Sequence, residues 1–103
     1  MSAANALRGE AALSLAGATL RLRPSFGALV AAEAELGPLF ALVERAAGGG
    51  LTLGEMAGLL WHCLVDAPAG MNREDFCEAL VGAGLAAVTP ALRVLLGQVL
   101  AGR

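Results

Sequence analysis

A short alternating segment near the start limits what this chain can fold into more than any other feature. Leu13 and Leu15 alternate with Ser14, Leu20 and Leu22 alternate with Arg21 and Arg23, and Ala16-Gly17 stands between the two runs as a tight turn. If Leu15 faces Ala18, then Leu13 faces Leu20 and Ala11 faces Leu22 on one side. On the other side Ser14 faces Thr19, Ala12 faces Arg21, and Glu10 faces Arg23 as an ion pair at the open end. This register separates an apolar face from a polar one, and a slip of one residue would invert both. The spacing therefore predicts a β-hairpin that opens, at Pro24, directly into a capped helix.

Everything after the hairpin reads as helix. Pro24 has no amide hydrogen for a strand ladder, and Ser25 is placed to cap a helix over Phe26 to Leu36, which Gly37-Pro38 stops. Its expected inward face is Phe26, Leu29, Val30 and Leu36, with Glu33 close to the stripe as a boundary acid reaching solvent or an amide. A second helix, from Pro38 to Ala47, turns Leu39, Leu42, Val43 and Ala46 inward and ends at Gly48-Gly49-Gly50. Thr52-Leu53-Gly54-Glu55 reads as a capping box for a third helix reaching Val65 or Asp66. Its core face is Leu53, Met56, Ala57, Leu60, Cys63 and Leu64. Asn72, with Glu74 and Asp75 in the following turn, starts a fourth helix that buries Phe76, Cys77, Leu80 and Ala83 and ends at Gly82-Ala83-Gly84. The last helix covers Leu85 to Ala101, and Thr89-Pro90 either restarts or kinks it. The fold class that follows is α+β, mostly α: a hairpin and about five short helices in one compact bundle. Residues 9–103 form that single domain, behind a flexible tail at 1–8.

Composition narrows the function classes. In 103 residues the chain carries 20 Leu and 7 Val, enough for one core. Net charge is −2, there is no Lys, and the seven Arg are scattered from Arg8 to Arg103, so no footprint for nucleic acid or an anionic membrane surface is present. Cys63 and Cys77 fall on separate helices and read as reduced thiols rather than a disulfide framework. The first eight residues lack a basic start followed by an apolar block, so no signal peptide is expected and the protein is expected to stay in the cytoplasm. Leu80 to Gly102 is long and apolar enough to compete as a membrane span. Arg93 and Thr89-Pro90 oppose that reading, and so does a helical stripe of Leu85, Val88, Leu92, Leu95, Leu96 and Val99, with Ala91, Arg93, Gly97, Gln98 and Ala101 falling elsewhere. A helix packed on a core is expected instead.

No reaction centre emerges. His62 and Cys63 point about 100° apart on a helix and match no zinc spacing, and His62 is expected to pair with Asp66 on a solvated face. Ser14 and Ser25 have structural work, and Glu33 and Glu35 face different sides of their helix, so neither a nucleophile nor a carboxylate pair is assembled. The triple glycine lacks the Lys-Ser/Thr ending of a phosphate loop. The expectation is no catalytic residue, no metal and no cofactor. What stands out is an apolar arc on the third helix wider than one core contact needs: Leu59, Trp61 and Val65 flank the core stripe. Together with Phe40 they form the candidate partner-binding patch, suited to self-association or to capture of an apolar helix.

Arg8-Gly9-Glu10, the Leu15-Ala16-Gly17 turn, Leu20-Arg21-Leu22-Arg23, and Ser25-Phe26-Gly27-Ala28-Leu29 with Glu33 and Leu36-Gly37 together resemble the gene transfer agent family of small phage-tail proteins. Leu51-Thr52 and Gly84-Leu85 are also similar to that family, so the resemblance covers about residues 8 to 102. Where second strands of the family often carry an aromatic, this chain has Ala18-Thr19-Leu20. The resemblance implies a role in phage-like tails, either as a tail tube component or as a tail assembly chaperone. A tube subunit needs more sheet than one hairpin supplies, so the expectation is a non-enzymatic, chaperone-like assembly factor that covers apolar helical stretches of a tape-measure protein. A structural tail component and a small metabolic or regulatory binding domain are the alternatives.

Overall fold

The computed structural model describes residues 10–15, 17–67 and 69–101; the tail expected at 1–8 lies outside these. Strands β1 (Ala11–Leu15) and β2 (Ala18–Leu22) pair antiparallel, with Ala11 opposite Leu22, Ala12 opposite Arg21, Leu13 opposite Leu20, Ser14 opposite Thr19 and Leu15 opposite Ala18. This is the register that alternation requires. Ala11, Leu13, Leu15, Leu20 and Leu22 are buried, while Ala12, Ser14 and Thr19 face out. Gly17 turns the chain with φ of +79°, a conformation that costs glycine nothing. At the open end Arg23 Nε lies 4.0 Å from Oε2 of Glu10, whose side chain is buried.

Five helices follow: α1 (Phe26–Leu36), α2 (Leu39–Ala47), α3 (Leu53–Cys63), α4 (Arg73–Ala83) and α5 (Leu85–Ala101). Their starts are set locally. Ser25 Oγ accepts from the Ala28 amide at 3.2 Å. Thr52 and Glu55 exchange the two bonds of a capping box at 3.1 and 3.0 Å, and Asn72 and Asp75 do the same for α4. α2 opens on Pro38, and the carboxylate of Glu33 accepts its Leu39 amide at 3.1 Å. Glu33 thus reaches an amide, as its boundary position allows. α5 runs through Pro90 as one helix, and the Thr89 hydroxyl donates to the Leu85 carbonyl one turn back.

The chain departs from expectation where α3 ends. The helix stops at Cys63, and Leu64–Val65 form a third strand, β3, antiparallel to β2, with Leu22 opposite Leu64 and Arg21 opposite Val65. The Arg23 amide extends this junction by donating to the Cys63 carbonyl at 2.7 Å. The hairpin is therefore part of a three-stranded sheet in the order β1-β2-β3. Two residues show no period of their own; the open edge of β2 calls the strand into being. Asp66 follows with φ of +57°, which aspartate tolerates better than most residues, and pairs with Arg21 at 3.2 Å.

The inner face of the sheet, α3, the core side of α4 and the middle of α5 share one buried cluster. Its large members include Leu15, Leu22, Leu59, Leu60, Phe76, Leu80 and Leu95, each worth about 1.5–3 kcal/mol on burial. On α5 the inward stripe is Val88, Ala91, Leu92 and Leu95, so Ala91 joins the core while Leu85 stays exposed. α4 and α5 meet at a bend of 115°, at Gly84 with φ of +91°. No single helix among the described residues is long and apolar enough to cross a membrane.

Candidate interaction surface

α1 packs on α3, and the side it presents is not the one its large residues predict. Ala32 is fully buried, with Ala28, Leu29 and Leu36 partly buried around it, whereas Phe26 is 85% exposed and Val30 is 48% exposed. The reason lies in the partner helix. Gly58 of α3 leaves so little space that an added Cβ would sit 3.1 Å from Leu36 Cδ2 and 3.1 Å from an Arg73 nitrogen. The missing side chain at Gly58 thus makes room for Leu36 and Arg73, and with Leu36 seated there and Ala32 buried, Phe26 and Val30 are turned outward. Apart from Glu33 and Glu35 the helix is apolar, so its large residues suggest one face and its small residues leave another equally open.

The four residues of the expected patch take different places. Phe40 is 66% exposed on α2. Trp61 is half-buried on the α3 side of the core, where its ring meets Phe76 at a centroid distance of 5.6 Å and an interplanar angle of 53°. Val65 is half-buried at the end of β3, since the chain has left the helix before reaching it. Leu59 is 1% exposed and fills the core, so its side chain presents nothing to a partner; the core side of α3 is wider than a single stripe because α1 and α4 both pack on it. Exposed large apolar groups sit on α1 and α2, as Phe26, Val30 and Phe40, at Leu53 in the first turn of α3, which leaves the core face expected of it, and toward the other end of the chain at Val81, Leu85, Val94 and Leu100.

A polar hub holds α1 against the rest. Glu35 receives both terminal nitrogens of Arg73 from α4, one of them at 2.7 Å on Oε1, and the same oxygen lies 2.7 Å from His62 Nε2 on α3. The Arg73 bonds, then His62, hold the Glu35 carboxyl down at about 2, well below its ordinary 4.5. His62 therefore pairs across helices with Glu35 rather than with Asp66, which is taken by Arg21. Glu55, which completes the α3 cap, also pairs with Arg45 of α2, and its carboxyl is lowered by the Thr52 amide first and Arg45 second. Burial alone pushes the Cys63 thiol up to about 12, which leaves it protonated and unreactive; Cys63 and Cys77 are both free. Among the described residues no three His, Cys, Asp or Glu side chains converge as a metal site.

Shallow depressions on the surface include two lined by described residues. One, of about 290 Å³, lies between α2 and α5 and is lined by Val43, Ala46, Ala47, Leu96, Gly97 and Leu100, with Arg93 beside them. The other, of about 520 Å³, runs along the outer side of α4 past Glu74, Cys77, Glu78, Val81 and Gly82. Both are apolar floors with charge on one side, and neither was evident in the sequence, because each depends on where helices meet rather than on a motif.

A family model described as phage tail tube protein, GTA-gp10, matches residues 8–102 of the chain. Neither a curated protein nor a solved structure matches it.

Proposed function

Because the chain belongs to the GTA-gp10 family of phage tail tube proteins, its role lies in a phage-like tail, and within that role we propose that it is a non-enzymatic assembly factor. The observation that carries this reading is the size of the sheet. Its strands are five, five and two residues long, and their apolar face is already committed to the core beneath α4 and α5. A subunit that lines a tube by strand pairing needs sheet left over for its neighbours, and this one has little. What it does leave open is apolar side chains on helices. Phe26 and Val30 lie one turn apart on α1, and Phe40 follows on α2. Such anchors suit an apolar helical segment laid across them, and in a tail the protein with long apolar helical stretches to be covered before the tube closes is the tape-measure protein. The accessible edge of Trp61 and Val65 borders this work in our reading, which takes place in the cytoplasm while tails assemble.

The test is co-expression of the full chain with helical fragments of the tape-measure protein. Wild type retains the fragment on purification, and the double substitution Phe26→Ser and Phe40→Ser loses it by about tenfold or more while keeping its helical circular dichroism. Equal retention by the double variant would sink the reading. The family description itself favours a second reading, a structural tail component. Stoichiometric presence of the chain in purified, mature particles would decide for that one, and its presence only in assembling cells for the assembly factor.

A further inference from the structure

The two edges of the sheet are finished differently. At one edge β3 is only two residues long, and Asp66, with φ of +57°, turns the chain away while its carboxylate pairs with Arg21. Short length and charge both keep an edge from pairing. The opposite edge, β1, has neither charge nor proline nor glycine over Ala11–Leu15, and its register with β2 runs without a bulge. The backbone groups it presents follow from the ladder. The Arg23 amide donates to the Cys63 carbonyl, so Arg21 and Arg23 turn their peptide groups toward β3, and Leu20 and Leu22 turn theirs toward β1. Leu13 and Ala11, opposite Leu20 and Leu22, therefore bond to β2, whereas Ala12 and Ser14 point their amides and carbonyls away from the sheet. Among the described residues no other element bonds to these outward groups, and Ala12 and Ser14 are both exposed.

From this edge we infer that the chain captures an extended segment of another protein as an added antiparallel strand beside β1. A helix has already spent its backbone groups on itself, whereas an extended segment meets amide with carbonyl and carbonyl with amide at both Ala12 and Ser14. The faces of the sheet set the chemistry of that segment. Side chains directly opposite each other share a face. The residue that comes opposite Leu13 thus points inward, on the side where α4 and α5 pack against β1, and is apolar. Those opposite Ala12 and Ser14 point to solvent and are polar. Two outward-bonding residues are too few to build a tube wall, which agrees with the small sheet, yet they suffice to fix the register of a short strand. This capture goes beyond the assembly-factor reading and does not depend on it, since Phe26, Val30 and Phe40 stand on α1 and α2 and not on β1.

The test is an NMR titration with amide hydrogen exchange, on the full chain, using a short capped peptide that alternates threonine and valine between terminal lysines. Binding slows exchange at Ala12 and Ser14 by about tenfold or more and leaves Leu13, already bonded to β2, unchanged. Methylating the threonine amides, which face β1 in antiparallel pairing, weakens binding by about tenfold or more, and methylating the valine amides, which face away, does not. Ser14→Pro removes an outward amide and no bond of the β1–β2 ladder, so it loses the peptide while keeping its circular dichroism, and Ser14→Thr binds as wild type does. If Ser14→Pro unfolds, the methylated peptides alone decide. Absence of binding, equal sensitivity to both methylations, or a loss confined to the methylated valines overturns the inference. So does free protein in which the Ala12 and Ser14 amides are already protected, because the edge is then covered by the chain itself or by a second copy. None of these outcomes touches retention of the tape-measure fragment, so the two proposals fail separately.

Discussion

The hairpin and α1 are neighbours in sequence and bury themselves by opposite rules. In the hairpin every large apolar residue that alternation assigns to the inner face is buried, from Leu13 and Leu15 to Leu20 and Leu22. In α1 the large residues Phe26 and Val30 are outside and the small Ala32 is at the centre of the contact. The difference comes from what each packs against. A sheet face meets side chains across a gap of about 10 Å, which long residues fill. α1 meets a helix at Gly58, whose missing side chain leaves just enough room for Leu36, and the fully buried residue of α1 is the small Ala32. Hydrophobicity decides the first kind of burial; available space decides the second.

The sharpest way to break this comparison is to shorten one large residue on each side of it. Leu22→Ala removes a side chain that is fully buried between the sheet and the helices, and should destabilise by about 2–5 kcal/mol in chemical denaturation. Phe26→Ala removes a larger one and should change stability by no more than about 0.5 kcal/mol, since the ring has little contact to lose. Equal losses for the two would mean that α1 packs by its aromatic after all.

Enlarging the small residues gives the converse test, with a smaller effect. Ala32→Leu forces extra methyl groups into the α1–α3 contact and should cost about 1–3 kcal/mol, whereas Ala34→Leu on the exposed side should be tolerated within about 0.5 kcal/mol. A neutral Ala32→Leu would show that α1 can slide outward, and that Gly58 does not fix its distance.

The same contrast explains what the sequence made legible. Register in the hairpin follows from a period of two and a tight turn, both carried by adjacent residues. The caps at Ser25, Thr52 and Asn72 follow from bonds that reach only three residues along the chain. β3 was hidden because two residues have no period and the strand exists for the sake of β2's edge. Glu35 meets His62 and Arg73 across 27 and 38 positions, which no local pattern records. Exposure within the candidate patch is partly legible. Phe40 is open, as its place in α2 allows, but Leu59 was assigned outward by a stripe that took only one neighbour into account, and α3 has two. Phe26 and Val30 fall on the expected inward stripe of α1 and are exposed instead, for the complementary reason: outside Glu33 and Glu35 the helix is apolar, so residue size rather than pattern selects the buried side.

The smallest expected effect concerns what keeps α1 docked once its side chains are small. Glu35 is more than a third exposed, so its double bond with Arg73 and its contact with His62 are screened by water and together contribute about 1 kcal/mol or less. Because the folded carboxyl titrates at about 2 instead of 4.5, that contribution is complete above pH 4.5 and is lost as the pH falls through 2. Glu35→Gln should therefore be slightly less stable than wild type near neutrality, with the gap closing between about pH 4.5 and pH 2. Denaturation midpoints of the two proteins at several pH values measure this directly. A gap that persists unchanged at pH 2 would locate the stabilisation in the shape of the α1–α3 contact rather than in the charge of Glu35. The electrostatic hub would then be a consequence of close packing around Gly58, with no share in causing it.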